Sequence, residues 1–266
     1  MAKKHPGICA LCGKQCDNLS FEHIPPRSSF NSQPAKPVSL MDTFKNGDRL
    51  PWETDGLPYK NQQQGMGMYS LCRVCNTFTG TAYGREYVDI ARVVHQALTN
   101  LTPECTGIRL TNVHPQRFLK QVISMFCSLN PQRTKSMESL RRFVLDKDAI
   151  GIERDKFMIR MYLTRSGAKR HIPITTQGHF KENRYEIVTV SEITAYPFGF
   201  ILYFDPKEGT SYMGADMTHF ADYAYDTADE ILIPLCIKEI NSMFPLDYRS
   251  REKIVCARDE WEKAEM

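Results

Sequence analysis

Two Cys-x2-Cys turns constrain this chain more than any other feature: Cys9-Ala10-Leu11-Cys12 and Cys72-Arg73-Val74-Cys75, with 59 residues between them. Such a turn points two thiolates at one ion about 2.3 Å away, and two turns complete a tetrahedron around Zn²⁺. The separation exceeds that of a compact zinc ribbon, so something folded must lie between the pairs. A structural zinc would contribute on the order of 10 kcal/mol to a region whose own core is thin. Cys16 and His5 compete for one ligand position, because Cys12-x3-Cys16 is also a permissible spacing. The other cysteines, at 105, 127, 236 and 256, are scattered and read as structural, with Cys127 near the apolar face of a helix, where it acts as a small hydrophobe.

Metal is preferred over disulfides because the chain reads as cytoplasmic. Basic residues at Lys3 and Lys4 are followed by no apolar stretch of the secretory kind, and no run approaches the roughly 18 apolar residues of a membrane helix. Nine cysteines are also an odd number. The 266 residues are 42% hydrophobic, and 34 Lys+Arg against 31 Asp+Glu leave a net charge of +3. That excludes a disordered chain and a strongly basic coat protein. Nucleic acid, if bound, must be met by a local patch.

The hydropathy pattern changes along the chain. Tyr83, Tyr87, Ile90, Ala91, Val94, Leu98 and Leu101 recur at helical spacing and predict a helix over 81–101 that ends before Pro103. A second helix is expected from about Val113, with Pro115 in its first turn, Phe118, Val122, Ile123 and Phe126 on its buried face, and Pro131 beyond its end. A third is expected over 136–145. Strand-like runs follow at 157–164, 184–195 and 198–204. The run at 229–240 contains Pro234, which demotes it to an edge or bulged strand. The expected fold class is α+β: an N-terminal module over 1–101, a boundary between 101 and 113, and a helix-then-strand domain over 105–266.

Between the cysteine pairs stands Leu19-Ser20-Phe21-Glu22-His23-Ile24-Pro25-Pro26, read as a short strand stopped by its prolines, which fix the backbone just after the histidine. Hydrolysis of a phosphodiester needs a base for the attacking water and a cation for the phosphate and leaving oxygen. A histidine beside a carboxylate, joined by an amide from a following helix, can supply both. In the order Cys9-x2-Cys12, Glu22-His23-Ile24-Pro25-Pro26, Leu71-Cys72-x2-Cys75-Asn76, followed by Thr79-Gly80, the sequence resembles the HNH endonuclease family with its ββα-metal fold, over residues 9 to about 90. The resemblance implies a metal-dependent hydrolase of phosphodiester bonds. His23 is then the general base, and Glu22 and Asn76 are the protein ligands of a catalytic Mg²⁺ or Mn²⁺. Cys9, Cys12, Cys72 and Cys75 hold a separate structural Zn²⁺. Asn76 read by itself is equally a helix cap.

The family's middle asparagine is missing. It usually stands some nine residues before the last motif residue, where this chain has Gly67, and Asn61 lies fifteen before. That puts the support of His23 in question. The insert of about 27–70 is long and is expected to form a surface excursion near the site. Its Arg27, Lys36, Lys45, Arg49 and Lys60 are either phosphate contacts or solvated loop charge. Arg141-Arg142 and Lys169-Arg170-His171 are small basic spots open to the same two readings, and the loop 245–250 is expected to be packed by Tyr248.

The partner expected is DNA, with RNA as a second possibility and no membrane. The C-terminal domain is expected to serve regulation, sensing, substrate binding or self-association. An effector role in bacterial defence or mobile-element biology suits such an arrangement, with the nuclease silent until that domain binds a signal. The alternative is a zinc-stabilised nucleic-acid-binding module without catalytic activity.

Overall fold

The computed structural model describes residues 3–44, 49–132, 134–181 and 184–265, so Lys45 of the insert lies outside the described residues. The chain is mixed α+β, with every strand pairing between named elements antiparallel. Strands β1 (Gly7–Ile8) and β2 (Gln15–Cys16) form a small hairpin around the first cysteine turn. Strand β3 (Ser20–His23) is paired, across the insert and its short helix α1 (Leu40–Phe44), with β4 (Gly67–Leu71). The register sets Glu22 opposite Met68 and His23 opposite Gly67.

Strand β4 runs straight into helix α2 (Arg73–Thr79), a π turn at Gly80–Gly84 and helix α3 (Arg85–Thr99). The helix expected from residue 81 therefore begins eight residues earlier. Its start is set by Cys72, whose extended backbone and sulfur cap the first turn by accepting from Cys75 N–H. The apolar stripe is buried as the spacing requires, from Tyr83 through Leu98.

Strand β5 (Gly107–Val113) occupies the expected boundary and pairs with β11 (Asp229–Pro234) in a two-stranded sheet, so Pro234 stands in an edge strand as a proline requires. Helix α4 (Pro115–Leu129) opens on Pro115 as the sequence indicates, but it has more than one buried face: every residue except Arg117 is buried. The reason is its place in the middle of the molecule, packed against the π turn, α3, helix α5 (Glu138–Leu145) and the main sheet. That sheet has the order β10-β6-β9-β8-β7, built from β6 (Phe157–Leu163), β7 (Arg170–Lys181), β8 (Arg184–Ala195), β9 (Phe198–Phe204) and β10 (Ala215–Asp216). Helix α6 (Arg251–Glu265) closes the chain. Among the described residues no helix is long and apolar enough to cross a membrane.

One apolar cluster runs from Cys9 and Leu71 through Tyr87, Phe118 and Phe126 to Phe198, Phe200 and Ile231. It therefore joins the cysteine-rich region to the C-terminal sheet. One arginine of each expected basic spot is buried inside the fold, while Arg142 is exposed. Arg141 is fully buried, and its guanidinium donates to the carbonyls of Ala10 at 2.8 Å, Thr134 at 3.1 Å, Gln132 at 3.3 Å and Asn130 at 3.4 Å. Ala10 sits inside the first cysteine turn, so helix α5 is fastened directly to it. Arg170 is buried and paired with buried Glu192, which also accepts from Tyr162 at 2.6 Å and Tyr248 at 3.0 Å. A buried carboxylate requires such partners, and Tyr248 packs its loop by supplying one. Of the four scattered cysteines only Cys127 is fully buried, while Cys105 and Cys256 are exposed.

Candidate functional site

The four cysteines of the two turns converge. Their Sγ atoms all lie within 4.8 Å of one another, with Cys12 and Cys72 3.9 Å apart. A tetrahedron with 2.3 Å metal–sulfur bonds has edges of about 3.8 Å, so the cluster has the dimensions to hold a metal ion. Backbone amides already point at the sulfurs: Cys72 N–H donates to Cys9 Sγ at 3.2 Å and Cys75 N–H to Cys72 Sγ at 3.4 Å. A hydrogen bond from the Cys75 thiol holds Cys9 down at about 4, and the same pairing drives the Cys75 thiol far up. Burial raises Cys12. The competitors stand aside. Cys16 directs its thiol to the Lys14 carbonyl at 3.4 Å, and the His5 ring stacks on Tyr69 with centroids 3.4 Å apart.

The hairpin of β3 and β4 and the helix that follows bring Glu22, His23 and Asn76 to one cleft of about 470 Å³. Glu22 is 6% exposed, and burial lifts its carboxyl to about 8. It has no ion pair among the described residues. Asn76 lies in the second turn of α2, not at the cap, which is Cys72. Its Nδ2 donates to Ser20 Oγ at 3.0 Å and to the Phe21 carbonyl at 3.2 Å, leaving its carbonyl oxygen as the end with ligand character.

His23 Nε2 lies 3.2 Å from the Gln64 carbonyl. A carbonyl only accepts, so Nε2 carries the hydrogen and Nδ1 keeps a lone pair. Burial and the nearby Arg27 lower the imidazole from its ordinary value, against the opposing effect of the Gln64 bond. The ring is thus held neutral, with one basic nitrogen. Arg27, Arg85 and Arg92 line the same cleft with Asp89, which pairs with Arg85 at 3.7 Å and Arg92 at 3.5 Å, so three arginines against one aspartate at its rim leave a local excess of positive charge.

The loop carrying His23 has a brace that the sequence reading missed. Asn31 is fully buried and uses all its hydrogen-bonding capacity. Its Nδ2 donates to Pro25 and Met66 carbonyls at 2.7 and 2.8 Å, and its Oδ1 accepts from Met66 N–H at 2.8 Å and Lys169 Nζ at 3.0 Å. Gly65 allows this approach: its φ is +102°, and a Cβ there would stand 1.8 Å from the Asn31 carbonyl. An asparagine in place of Gly67 is sterically barred, because a Cβ would lie 2.2 Å from the Glu22 carbonyl. The only available signal for Asn31 was its nearness to the Pro25-Pro26 stop. Gln121, on α4, also reaches the cleft and was indistinguishable in sequence from a core-helix residue.

Of the insert's other basic residues, Lys36 lies over the Tyr59 ring and Arg49 donates to the Asp55 carbonyl. Among the insert's described basic residues only Arg27 lines the cleft. No family model, curated protein or solved structure matches the chain.

Proposed function

We propose that this chain is an HNH-type endonuclease that hydrolyses phosphodiester bonds, with DNA as substrate and a structural zinc ion in its four-cysteine cluster. The observation that carries the reading is the state of His23. The Gln64 carbonyl fixes its tautomer and burial keeps it neutral, so Nδ1 is free to take a proton from water beside Glu22 and Asn76. Four thiolates at tetrahedral spacing suit Zn²⁺. Glu22 and the Asn76 carbonyl form a separate, hard oxygen set that suits Mg²⁺ or Mn²⁺. Such an ion, when bound, would offset negative charge developing on the phosphate and the departing oxygen. Glu22 favours cation binding because a buried carboxylate without a partner gains most from one.

The protein's own groups divide the remaining work. His23 accepts the proton, Gln64 and Asn31 hold its ring and loop, and Arg27, Arg85 and Arg92 attract the phosphate backbone. The second reading, a zinc-stabilised nucleic-acid-binding module, is favoured by Gly67 at the position of the family's middle asparagine. The brace from Asn31 supplies the support whose loss suggested it. Plasmid and single-stranded RNA should be offered to purified protein with Mg²⁺, with Mn²⁺ and with neither. Metal-dependent nicking of the plasmid is expected. Binding without cleavage under every condition would favour the second reading.

A further inference from the structure

The floor of the cleft contains an anomaly. Gly80 and Gly84 both line it, one helical turn apart, inside the continuous helix that runs from Arg73 to Thr99. Glycine within a helix is less favourable than alanine by about 1 kcal/mol, so two of them call for a reason. Backbone conformation does not supply one: φ is −61° at both. Packing does not either. A Cβ on Gly80 would meet nothing within 4 Å, and one on Gly84 would make only ordinary contacts, at 3.5 Å from Gln121 Oε1 and 3.7 Å from the Thr79 carbonyl. What the two glycines do is leave the floor bare.

Beneath that floor stands Gln121 of α4. It is 1% exposed, it lines the cleft with Glu22, His23 and Asn76, and its Oε1 has no hydrogen-bond partner among the described residues. A buried acceptor left unpaired costs about 1–3 kcal/mol. The last torsion of a glutamine side chain is soft, so the oxygen can turn to a donor that enters the cleft. A phosphate diester brings acceptors only. Water brings hydrogens, and a water held on a divalent cation brings them fixed in place and more strongly polarised than a free one. Six waters at about 30 Å³ each fill about 180 Å³, well within the cleft of about 470 Å³. Mg²⁺ in particular keeps several of its waters when bound.

We infer that Gln121 is a positioning residue for the hydrated divalent cation, accepting a hydrogen bond from one of its water ligands over the bare floor at Gly80 and Gly84. The inference rests on the reading of Glu22 and Asn76 as the cation's direct ligands. It gives the C-terminal body a share in the site, because Gln121 belongs to α4 rather than to the cysteine-rich region.

The test is Mn²⁺ binding to the full chain, followed by electron paramagnetic resonance, with the cysteine cluster loaded with zinc. The variants are Gln121→Leu, Gln121→Glu and Gly84→Ala, each checked for wild-type zinc content and thermal unfolding. Loss of an outer-shell partner typically weakens metal affinity 10–100-fold. Gln121→Leu and Gly84→Ala are expected to weaken Mn²⁺ binding at least tenfold, and Gln121→Glu, which keeps an acceptor oxygen, to retain it. Gly84→Ala should do so while unfolding at the same or a higher temperature, which a merely structural role would not produce. Wild-type affinity in Gln121→Leu overturns the inference, as does a wild-type chain that takes up no Mn²⁺. A chain that binds Mn²⁺ with this pattern yet cleaves no nucleic acid leaves the inference standing and removes the nuclease reading instead.

Discussion

Replacing Glu22 with glutamine should stabilise the protein when no divalent cation occupies the cleft. Burial raises the Glu22 carboxyl from an ordinary 4.5 to about 8. Between those values the folded chain binds more protons than the unfolded one, so stability falls as pH rises through the window. At about 1.4 kcal/mol per pH unit, the whole gap amounts to at most about 5 kcal/mol above pH 8. Glu22 borders an open cleft whose water relieves part of this, so about 2–4 kcal/mol is the expected size. The assay is urea unfolding at pH 5 and pH 8, in buffer free of Mg²⁺ and Mn²⁺ but with the cysteine cluster loaded. Wild type should lose stability between the two values and Glu22→Gln should lose much less. Added Mn²⁺ should restore wild type at pH 8 and leave the variant unchanged. Parallel behaviour of the two proteins with pH, with no response to Mn²⁺, would refute the picture of a buried carboxylate waiting for a cation.

Two further outcomes are expected. Elemental analysis should find one zinc per chain, and Cys72→Ser should lose it together with several kcal/mol of stability in urea, since it removes a thiolate ligand while the serine hydroxyl still caps α2; wild-type zinc content in that variant would count against the four-cysteine site. Asn31→Ala leaves the Pro25 carbonyl, the Met66 amide and Lys169 Nζ without their buried partner, while the Met66 carbonyl keeps the Ile24 N–H at 3.0 Å. It should destabilise by about 2–4 kcal/mol in chemical denaturation and lower the cleavage rate even where the protein remains folded.

The candidate site was legible because its chemistry is compressed into short motifs. Cys9, Cys12, Cys72 and Cys75 announce one another by spacing, and the strand Ser20–His23 ends where Pro25 and Pro26 require. The groups that support it were not legible, because they act through the backbone or from far along the chain. Asn31 braces carbonyls rather than a named partner, Gln64 contributes only its carbonyl, and Gln121 sits among the apolar residues of a core helix. The strands 157–164, 184–195 and 198–204 showed themselves by β-branched and aromatic runs and appear within one residue of those bounds. Strands β5 and β7 were missed: Gly107–Val113 is partly polar, and Arg170–Lys181 carries charge and a proline because it lies at the sheet edge. The basic pairs misled for the opposite reason. Arg141 and Arg170 read as surface charge, yet each is buried against carbonyls or a carboxylate that only the tertiary fold brings near.

The most direct test of the account is the rate of plasmid nicking by His23→Ala against wild type, both with wild-type zinc content and DNA affinity, in Mg²⁺ and in Mn²⁺. With Nδ1 of His23 as the proton acceptor, the variant should be slower by roughly 10²–10⁴-fold while its dependence on metal concentration is unchanged. Equal rates in a preparation free of contaminating nuclease would contradict the account and remove His23 from the chemistry.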